Sequence, residues 1–349
     1  MRVLVVGGTG ALGSRVVRSL GHDPDVVVVP AGRRRGDVQL DLGDPETFGV
    51  LSGWDVVVNA ADSLDAPPDA ALAWVYDQGG TWLDASCEPE VLQRALRLQG
   101  TARDGCVVLG AGLSPGLSTL AGARAAERLQ HCVRLDLGLR WTPLCGAGRG
   151  QVRGRVSLAG SPATWWEQGA LCHGPPLSPG PLMSIGPPGR RALAWRAPSA
   201  DIDLLHASLG TPDLNNYSLP SPAWLGPVQA SMPPGFFRWG PTRAFCQGTA
   251  SLLRAHLLRG RVAPASVLAV ARGETRAGCR LVLEDGLGAA ARMIAATALL
   301  IGRGSARPGV HTIDRITTLA PVLEGMARLG GRSSDRVLQL DTLDPGSLA

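Results

Sequence analysis

The chain has 349 residues, of which 45% are hydrophobic and 18% charged, so it can bury the cores of two ordinary globular domains. Its 34 basic and 29 acidic residues give a net charge of only +5, and the longest basic run is Arg33-Arg34-Arg35, which argues against a nucleic-acid-binding surface. Every basic residue is an arginine, which excludes Schiff-base or proton-donor chemistry by lysine.

The cysteines and histidines predict a cytoplasmic protein without a metal site. The seven cysteines form no C-x-x-C pair and are odd in number, which is typical of reduced thiols. The six histidines show no metal-ligand spacing. Met1-Arg2 leads into a short apolar run that ends in glycines, unlike a secretory signal. The longest apolar stretch, near Ile294–Ile301, falls short of the ~20 residues of a membrane span.

The first 130 residues alternate between strand and helix patterns. Continuous apolar runs predict buried parallel strands, and periodic apolar residues predict helices between them. The predicted strands are Val3–Val6, Val26–Val29, Asp55–Asn59, Trp82–Asp84 and Cys106–Leu109, and the predicted helices are Ala11–Leu20 and Glu90–Leu98. This alternation predicts a Rossmann-type doubly wound parallel sheet.

The pattern changes after about residue 130. Polar and apolar residues alternate in four segments, which predicts strands of a largely antiparallel sheet with one wet face. These segments are Val133–Leu139, Gln151–Leu158, Val267–Ala271 and Arg280–Glu284. Fifteen of the 27 prolines lie in 162–241, so we expect mostly loops and short pieces there, able to cover an active site or a dimer contact. Helical periodicity returns in Gly288–Ile301 and Ala320–Leu329.

Three domain segments follow from these patterns. Residues 1–130 form a dinucleotide-binding Rossmann domain, and residues 131–287 form an α+β domain for substrate binding and dimerisation. Residues 288–349 are expected to be C-terminal helices that return to the first domain.

The glycine-rich turn after the first strand predicts a dinucleotide site. Gly8-x-Gly10-x-x-Gly13 follows a strand and opens a helix, as the dinucleotide fingerprint requires. Gly8 is expected to permit the tight turn, Gly10 to let backbone approach the pyrophosphate, and Gly13 to let the helix pack on the strand. A purely structural glycine turn is the alternative. The expected cofactor-binding residues of this turn are Gly7, Gly8, Thr9, Gly10, Ala11, Leu12 and Gly13.

The second strand predicts NADP(H) rather than NAD(H). An acidic residue would normally hold the ribose hydroxyl of NAD, but here the strand leads into Arg33 and Arg34 with no acid. Arginine binds a phosphate through two donors, so this loop suits the 2′-phosphate of NADP(H), unless it is only a solvated basic loop. Asn59, Ala60 and Ala61 end another strand, where small residues leave room for the nicotinamide ribose or simply form a turn.

The chain lacks the catalytic pair of the short-chain dehydrogenases. That class shares a similar glycine turn but depends on Tyr-x-x-x-Lys, and this sequence has only Tyr76 and Tyr217 and no lysine.

Several segments resemble the saccharopine dehydrogenase-like (saccharopine reductase) family. They are the glycine turn, Gly53–Ala61, Gly80–Glu88, Gly110–Ser118 and the C-terminal Gly309-Val310 with its following helix. The resemblance implies an NADP(H)-binding Rossmann domain with a second α/β domain inserted before the C-terminal helices. It also implies hydride transfer to or from a C–N bond, with no match for substrate-binding residues in the proline-rich middle.

Polar residues after the predicted strands are expected to share one crevice, because ligands bind at the carboxyl ends of the strands in such sheets. Glu88 can stabilise an iminium charge, and Ser86 or Cys87 can position substrate or water. The expected substrate contacts are Asp84, Ser114, Pro115 and Gly116, with Ser118 as a further hydroxyl.

Structural roles compete with each of these assignments. Asp84 can bond loop amides, Cys87 can fill space, Glu88 can begin a helix, and the turn at 114–116 can be only a turn. His206 and Tyr217 are weaker candidates for the proton donor.

The main functional hypothesis is an NADPH-dependent reductase of an imine or related small metabolite, acting as a homodimer. The alternatives are a non-catalytic NADP(H)-binding regulator or redox sensor, and a cyclase that uses bound NADP(H) without net redox change.

Overall fold

The computed structural model describes residues 1–100, 104–142, 148–175, 177–185, 191–221, 223–233, 235–237, 239–256, 262 and 264–330. Cys145, parts of the proline-rich segment 162–241 and the last residues of the predicted C-terminal segment, 331–349, lie outside the described residues.

The described strands and helices follow each other along the whole chain. The strands are β1 (Arg2–Val6), β2 (Val27–Gly32), β3 (Val38–Gln39), β4 (Val56–Asn59), β5 (Thr81–Asp84), β6 (Cys106–Leu109), β7 (Arg134–Trp141), β8 (Ala163–Glu167), β9 (Ala170–Gly174), β10 (Ser178–Met183), β11 (Ala192–Arg196), β12 (Asp213–Pro220), β13 (Ala265–Arg272), β14 (Arg276–Leu283) and β15 (Gly309–Thr312). The α-helices are α1 (Gly13–Leu20), α2 (Asp69–Asp77), α3 (Pro89–Leu96), α4 (Leu117–Ala126), α5 (Arg149–Ala159), α6 (Asp201–Leu209), α7 (Leu225–Ala230), α8 (Gly240–His256), α9 (Gly286–Leu300), α10 (Ile313–Ile316) and α11 (Leu319–Arg328). A 3-10 helix spans Pro45–Leu51 and a π-helical turn spans Ile301–Ser305.

The described residues divide into two compact units. Unit 1 comprises residues 1–117 and 288–330, and unit 2 comprises residues 118–287. Helix α4 lies within the segment 1–130 predicted from the sequence, but from Ser118 onward it belongs to unit 2.

Unit 1 is the predicted Rossmann-type unit. Its seven described strands pair in parallel in the order β15-β6-β5-β4-β1-β2-β3, so the strand order reverses between β1 and β4. Val3, Val57, Leu83 and Val108 are completely or almost completely buried, as is typical of parallel strands. Each such side chain contributes about 1.5–3 kcal/mol through burial. The reversal places the glycine turn after β1 beside the end of β4.

Unit 2 contains the predicted second sheet. Its main path is β10-β11-β12-β7-β13-β14, with β8 beside β12 and β9 beside β8. Among the described strand pairs of this sheet, only β12–β7 is parallel. Leu135 and Leu137 face helices α4 and α6, where Gly122 and Leu205 pack against them. The opposite face carries an apolar cluster that includes Met183, Ile185, Tyr217, Leu219, Leu268 and Val270. The proline-rich segment contributes β8–β12, so it contains more regular structure than the sequence predicted.

One predicted strand was wrong. Gln151–Leu158 lies in helix α5, whose start is capped by the Gln151 side chain accepting the backbone N–H of Gly148 at 3.0 Å. Val152, Val156 and Ala159 are also spaced for one helical face, so the local alternation was compatible with either structure.

Helix α9 and the π-helical turn form a 20-residue helix, Gly286–Ser305, that is long and apolar enough to cross a membrane, contrary to the sequence-based expectation. However, 72% of the most apolar 18-residue stretch of this helix is buried inside the protein, as in a core helix. Gly325 of α11 packs directly against Ala296.

Candidate active site

The glycine turn between β1 and α1 is fixed by close backbone approaches. Gly7 has φ +72°, and a Cβ there would stand 2.8 Å from the Cα of Ala61. A Cβ on Gly8 would stand 2.7 Å from that of Pro30, and one on Gly13 would overlap the carbonyl oxygen of Gly7. Gly7 therefore adopts the left-handed conformation of the turn, and neither Gly7 nor Gly8 leaves room for a side chain. Gly13 lets the helix approach, as expected.

The beginning of α1 offers free backbone donors. Leu12 is the N-cap residue, no side chain caps the helix, and its first turn holds no acidic residue. Within the described part of the chain, the N–H groups of Ala11, Leu12 and Gly13 make no hydrogen bond. Gly10 and Ala11 are exposed, and a Cβ on Gly10 would meet only the oxygen of Gly7, at 3.1 Å. Free donors at a helix N-terminus form a natural anion site.

The arginine loop lies beside the glycine turn. The Thr9 hydroxyl oxygen is 3.9 Å from the position that a Cβ on Gly32, at the end of β2, would take. Arg33 and Arg34 follow directly and are exposed. The Arg33 Nη2 atom is 3.9 Å from Oδ2 of Asp65, and both side chains are more than one-third exposed. Such an ion pair contributes only about 0–1 kcal/mol, so Arg33 can exchange Asp65 for a more highly charged anion.

A buried polar network around Asp84 joins the ends of β4 and β5. Asp84 is fully buried, and its Oδ2 accepts hydrogen bonds from Trp82 Nε1 at 2.8 Å and from Asn59 Nδ2 at 3.0 Å. Its Oδ1 accepts the backbone N–H of Ser86 at 2.7 Å. Asn59 Oδ1 in turn accepts the backbone N–H of Ala61 at 3.2 Å. The buried side chains of Asp84 and Asn59 thus stabilise the loops that follow β5 and β4.

Ser86 belongs to the same network. It is 4% exposed, and its hydroxyl lies 2.6 Å from that of Ser63 and 3.5 Å from Asn59 Nδ2. Ser63 and Trp82 were not predicted from the sequence as partners. Trp82 could have been found, because residues two apart on a strand share a face and an indole N–H needs an acceptor when buried.

Cys87 and Glu88 contact each other at the edge of the sheet. Cys87 is exposed, its Sγ is 3.6 Å from Glu88 Oε1, and its backbone N–H donates to Oε2 at 3.2 Å. Glu88 is the N-cap residue of α3, and Pro89 follows at the first helical position. Among the predicted catalytic residues, this pair is more accessible than Ser86, which is buried.

The three residues predicted in the turn after β6 differ in their exposure. The Ser114-Pro115 peptide bond is cis, and Gly116 has φ +134°. Pro115 and Gly116 are buried, whereas Ser114 is half-buried. The backbone N–H of Ala111 donates to the carbonyl oxygen of Asp84 at 2.9 Å, which ties this turn to the end of β5. Ser114 therefore keeps the best side-chain access to a ligand.

Ser118 lies inside unit 2 rather than at the open edge of the sheet in unit 1. It is 2% exposed, and its hydroxyl donates to Oδ1 of Asp201 at 2.7 Å. Thr119 donates to the same oxygen at 2.6 Å, and Ser199 donates to Oδ2 at 3.0 Å. Asp201 was not predicted from the sequence, because two of the three hydroxyls that it accepts lie more than 80 residues away along the chain.

The two weaker proton-donor candidates are held by neighbours in unit 2. The His206 ring stacks on Trp166 with ring centroids 3.5 Å apart, and its Nδ1 is 3.4 Å from the carbonyl oxygen of Thr211. Tyr217 is 2% exposed, with the Arg196 guanidinium 6.0 Å from its ring centroid.

Comparison with known proteins supports the fold. No family model and no curated protein matches the sequence. The chain is similar in structure to apo histidine-tagged saccharopine dehydrogenase (L-Glu forming) from Saccharomyces cerevisiae, with 12% identity, a TM-score of 0.59 and coverage of 93% of this chain and 96% of that one. It also matches DAP dehydrogenase of C. glutamicum in complex with DAP, with 12% identity, a TM-score of 0.48 and coverage of 95% and 96%. For amine dehydrogenase from Mycobacterium smegmatis the values are 13%, 0.44, 90% and 95%.

The likeness to the yeast enzyme extends over nearly the full length of both chains. At 12% identity it shows a shared fold, and the two TM-scores below 0.5 add no further support. The resemblance inferred from the sequence is therefore confirmed at the level of the fold, with a Rossmann-type parallel sheet and a second mixed sheet.

Proposed function

We propose that this chain is an NADP(H)-dependent oxidoreductase that transfers hydride to an imine or a related C–N bond of a small metabolite. The observation that carries the proposal is the uncapped N-terminus of α1, which follows a glycine turn that lies beside the arginine loop. The pyrophosphate would bind the N–H groups around Gly10–Leu12, and Arg33 with Arg34 would bind the 2′-phosphate. The name of the yeast neighbour, a saccharopine dehydrogenase, supports C–N chemistry.

The residues at the strand ends would have separate roles. Bound NADPH supplies the hydride. Asn59, held by Asp84, would keep Ala60 and Ala61 in place beside the nicotinamide ribose. Glu88 would stabilise the positive charge of an iminium ion, with the neighbouring Cys87 thiol or Ser114 hydroxyl orienting the substrate. Asp84 and Ser86 would act as positioning residues, because their hydrogen bonds are directed into the buried network.

Parallel calorimetric titrations with NADPH and NADH test the cofactor assignment. We expect NADPH to bind at least about tenfold more tightly, because one charge-assisted arginine–phosphate interaction contributes about 1.5–3 kcal/mol. Equal affinity for the two cofactors would contradict the NADP(H) assignment. If neither cofactor binds, the glycine turn has only a structural role, and the oxidoreductase hypothesis is rejected.

A non-catalytic NADP(H)-binding regulator is the second candidate. The observation that favours it is the burial of Asp84 and Ser86, which leaves few accessible polar side chains at the edge of the sheet. A regulator would bind NADPH tightly but would not consume it with any imine.

Unit 2 is also proposed to form a homodimer. Trp224 at the start of α7 and Phe245 and Leu252 on α8 are 61%, 70% and 62% exposed, and such apolar surface suits a protein contact. Light scattering after size exclusion should give twice the 36.3 kDa chain mass, and Phe245→Asp should shift the protein to monomer. The cytoplasmic location stays a prediction from the cysteines, which form no disulfide at the six described positions.

A further inference from the structure

Asp65 lies in a short turn, residues 62–66, that follows β4 and contacts the arginine loop within unit 1. Its Oδ2 atom is 3.9 Å from Nη2 of Arg33, and the two side chains are 37% and 54% exposed. Arg33 is the arginine proposed above to bind the 2′-phosphate. An anionic side chain of the protein therefore already stands beside a donor that the cofactor would use.

Hydrogen bonds within the turn fix the backbone that carries Asp65. The backbone N–H groups of Asp65 and Ala66 both donate to the carbonyl oxygen of Asp62, at 3.2 and 3.0 Å. The backbone N–H of Leu64 donates to Oδ1 of Asp62 at 3.3 Å, so the side chain of Asp62 closes the same turn. The position of the Asp65 Cα atom thus does not depend on the contact with Arg33.

A buried contact anchors the other side of the turn. The Ser63 hydroxyl donates to the Ser86 hydroxyl at 2.6 Å, and both residues are 4% exposed. Ser86 is held in turn by Asp84, whose Oδ1 accepts its backbone N–H at 2.7 Å. Asp65 can therefore release Arg33 while the turn stays attached to the network at the ends of β4 and β5.

The contact between Asp65 and Arg33 is weak enough to be exchanged. An exposed ion pair at this distance stabilises a protein only slightly. A phosphate dianion carries more charge than a carboxylate and accepts two charge-assisted hydrogen bonds from a guanidinium. The neutral ribose hydroxyl of NADH has no charge with which to compete for Arg33. The 2′-phosphate can therefore displace Asp65, but a part of its binding free energy is lost in doing so.

We propose that Asp65 competes with the 2′-phosphate for Arg33 and thereby sets the selectivity of the site between NADPH and NADH. The proposal rests on the proposed function, because it requires the 2′-phosphate to bind at Arg33. Asp65 lowers the affinity for NADPH and leaves that for NADH unaffected. Anions with less charge than a phosphate dianion gain less from the exchange, so the same pair discriminates against them.

The test measures the affinities of NADPH and NADH for the full-length chain by calorimetry. Asp65→Asn removes the competing charge at almost the same volume. Asp104→Asn, which replaces another exposed acid of unit 1, is the matched control. We expect Asp65→Asn to bind NADPH about threefold more tightly, as the small contribution of an exposed ion pair allows. The affinity for NADH should not rise, and Asp104→Asn should leave both affinities unchanged.

A double-mutant cycle with Arg33→Ala identifies how Asp65 acts. If Asp65 lowers NADPH affinity by occupying Arg33, most of the gain from Asp65→Asn should disappear when Arg33 is absent. The same gain in both backgrounds would show a general repulsion of the phosphate and overturn the competition. A loss of affinity for both cofactors in Asp65→Asn would show a structural role and overturn it as well.

The same titrations separate this proposal from the proposed function. NADPH preference in the natural protein with unchanged selectivity in Asp65→Asn, or with equal gains for the two cofactors, would overturn the competition alone. Equal affinities in the natural protein with a preference for NADPH in Asp65→Asn would reject the NADP(H) assignment but support the competition. If the natural protein binds neither cofactor, both proposals are rejected.

Discussion

The carbonyl oxygen of Gly7 lies where a Cβ on Gly13 would have to stand, so the glycine turn and the first residue of α1 are in direct backbone contact. Gly13→Ala should therefore force the helix away from β1. We expect a loss of about 1–3 kcal/mol in the free energy of unfolding, as for other overpacked sites, together with loss of NADPH binding. Urea denaturation and calorimetric titration measure the two effects.

Gly10→Ala is the matched control, because its Cβ would meet only the oxygen of Gly7, at 3.1 Å, and otherwise project into open space. This variant should unfold close to the natural protein but bind NADPH more weakly, since the Cβ occupies the proposed pyrophosphate position. A Gly13→Ala protein as stable as the Gly10→Ala protein would contradict the packing argument.

Arg33→Ala should weaken NADPH but not NADH. Arg33 loses only a long, exposed contact with Asp65, so the fold should be unaffected, whereas a bound 2′-phosphate would lose a charge-assisted donor. We expect NADPH affinity to fall about tenfold. Arg97→Ala, which removes an exposed arginine at the end of α3, controls for net charge. Equal losses for both cofactors would reject the 2′-phosphate site.

The fold of unit 1 was predictable because its strands are continuous apolar runs between clear helix patterns. Cys106–Leu109 was predicted with the bounds that the structure has. In unit 2 the sequence pattern predicted a strand correctly but not the burial of its polar residues. Val133–Leu139 was expected to have a wet face, but Asp136 is 2% exposed and is compensated by Arg134 and Arg272 instead of water. A sequence pattern cannot distinguish a polar residue that faces solvent from one that is buried with a distant partner.

The same limit applies to the candidate site. The sequence placed Asn59 and Asp84 at neighbouring strand ends, and the structure joins them by a hydrogen bond of 3.0 Å. It did not indicate that Asp84 would be closed off by Trp82, or that Ser118 would point to Asp201. Those contacts depend on how side chains rotate and on residues far apart in the chain.

Asp84→Ala should destabilise the protein more than an ordinary acid-to-alanine change. It would leave the buried Trp82 Nε1 without its acceptor and Asn59 Nδ2 with only a long contact to the Ser86 hydroxyl. Each unsatisfied buried group costs about 1–3 kcal/mol. Asp37→Ala removes an exposed carboxylate of the same unit and is the control. Urea denaturation at neutral pH compares the two, and equal, small effects would show that the network adds little stability.

The buried Cys106 thiol predicts a loss of stability at alkaline pH. Burial raises its pKa above the ordinary value of 9.0, partly opposed by a hydrogen bond with the backbone of Arg307. The unfolded thiol therefore loses its proton first, and the folded state binds more protons between the two pKa values. By linkage, this contribution to stability is complete below about pH 9 and declines as the pH rises toward the folded pKa.

Urea denaturation at pH 7.5 and pH 10 checks this prediction. The natural protein should lose more stability between the two pH values than Cys106→Ala, which has no thiol to ionise there. Cys87→Ala, which removes an exposed thiol, should behave like the natural protein. If Cys106→Ala shows the same alkaline loss as the other two, the buried thiol is not its source.

The effect of replacing Glu88 on turnover distinguishes an enzyme from a non-catalytic regulator. Its carboxylate is accessible beside Cys87 and is held by the backbone N–H of that residue at 3.2 Å, so it can face an iminium charge without a change of fold. With NADPH and the probe imine 1-pyrroline-2-carboxylate, Glu88→Gln should lower kcat at least about 100-fold. The variant should keep its affinity for NADPH, because the glycine turn and the arginine loop bind the cofactor. Glu90→Gln, which replaces an exposed acid in the first turn of α3, should leave both quantities unchanged.

Tight NADPH binding with no consumption of the imine by the natural protein would favour the regulator. Turnover that survives Glu88→Gln would keep the reductase but move the charge-stabilising role to another residue.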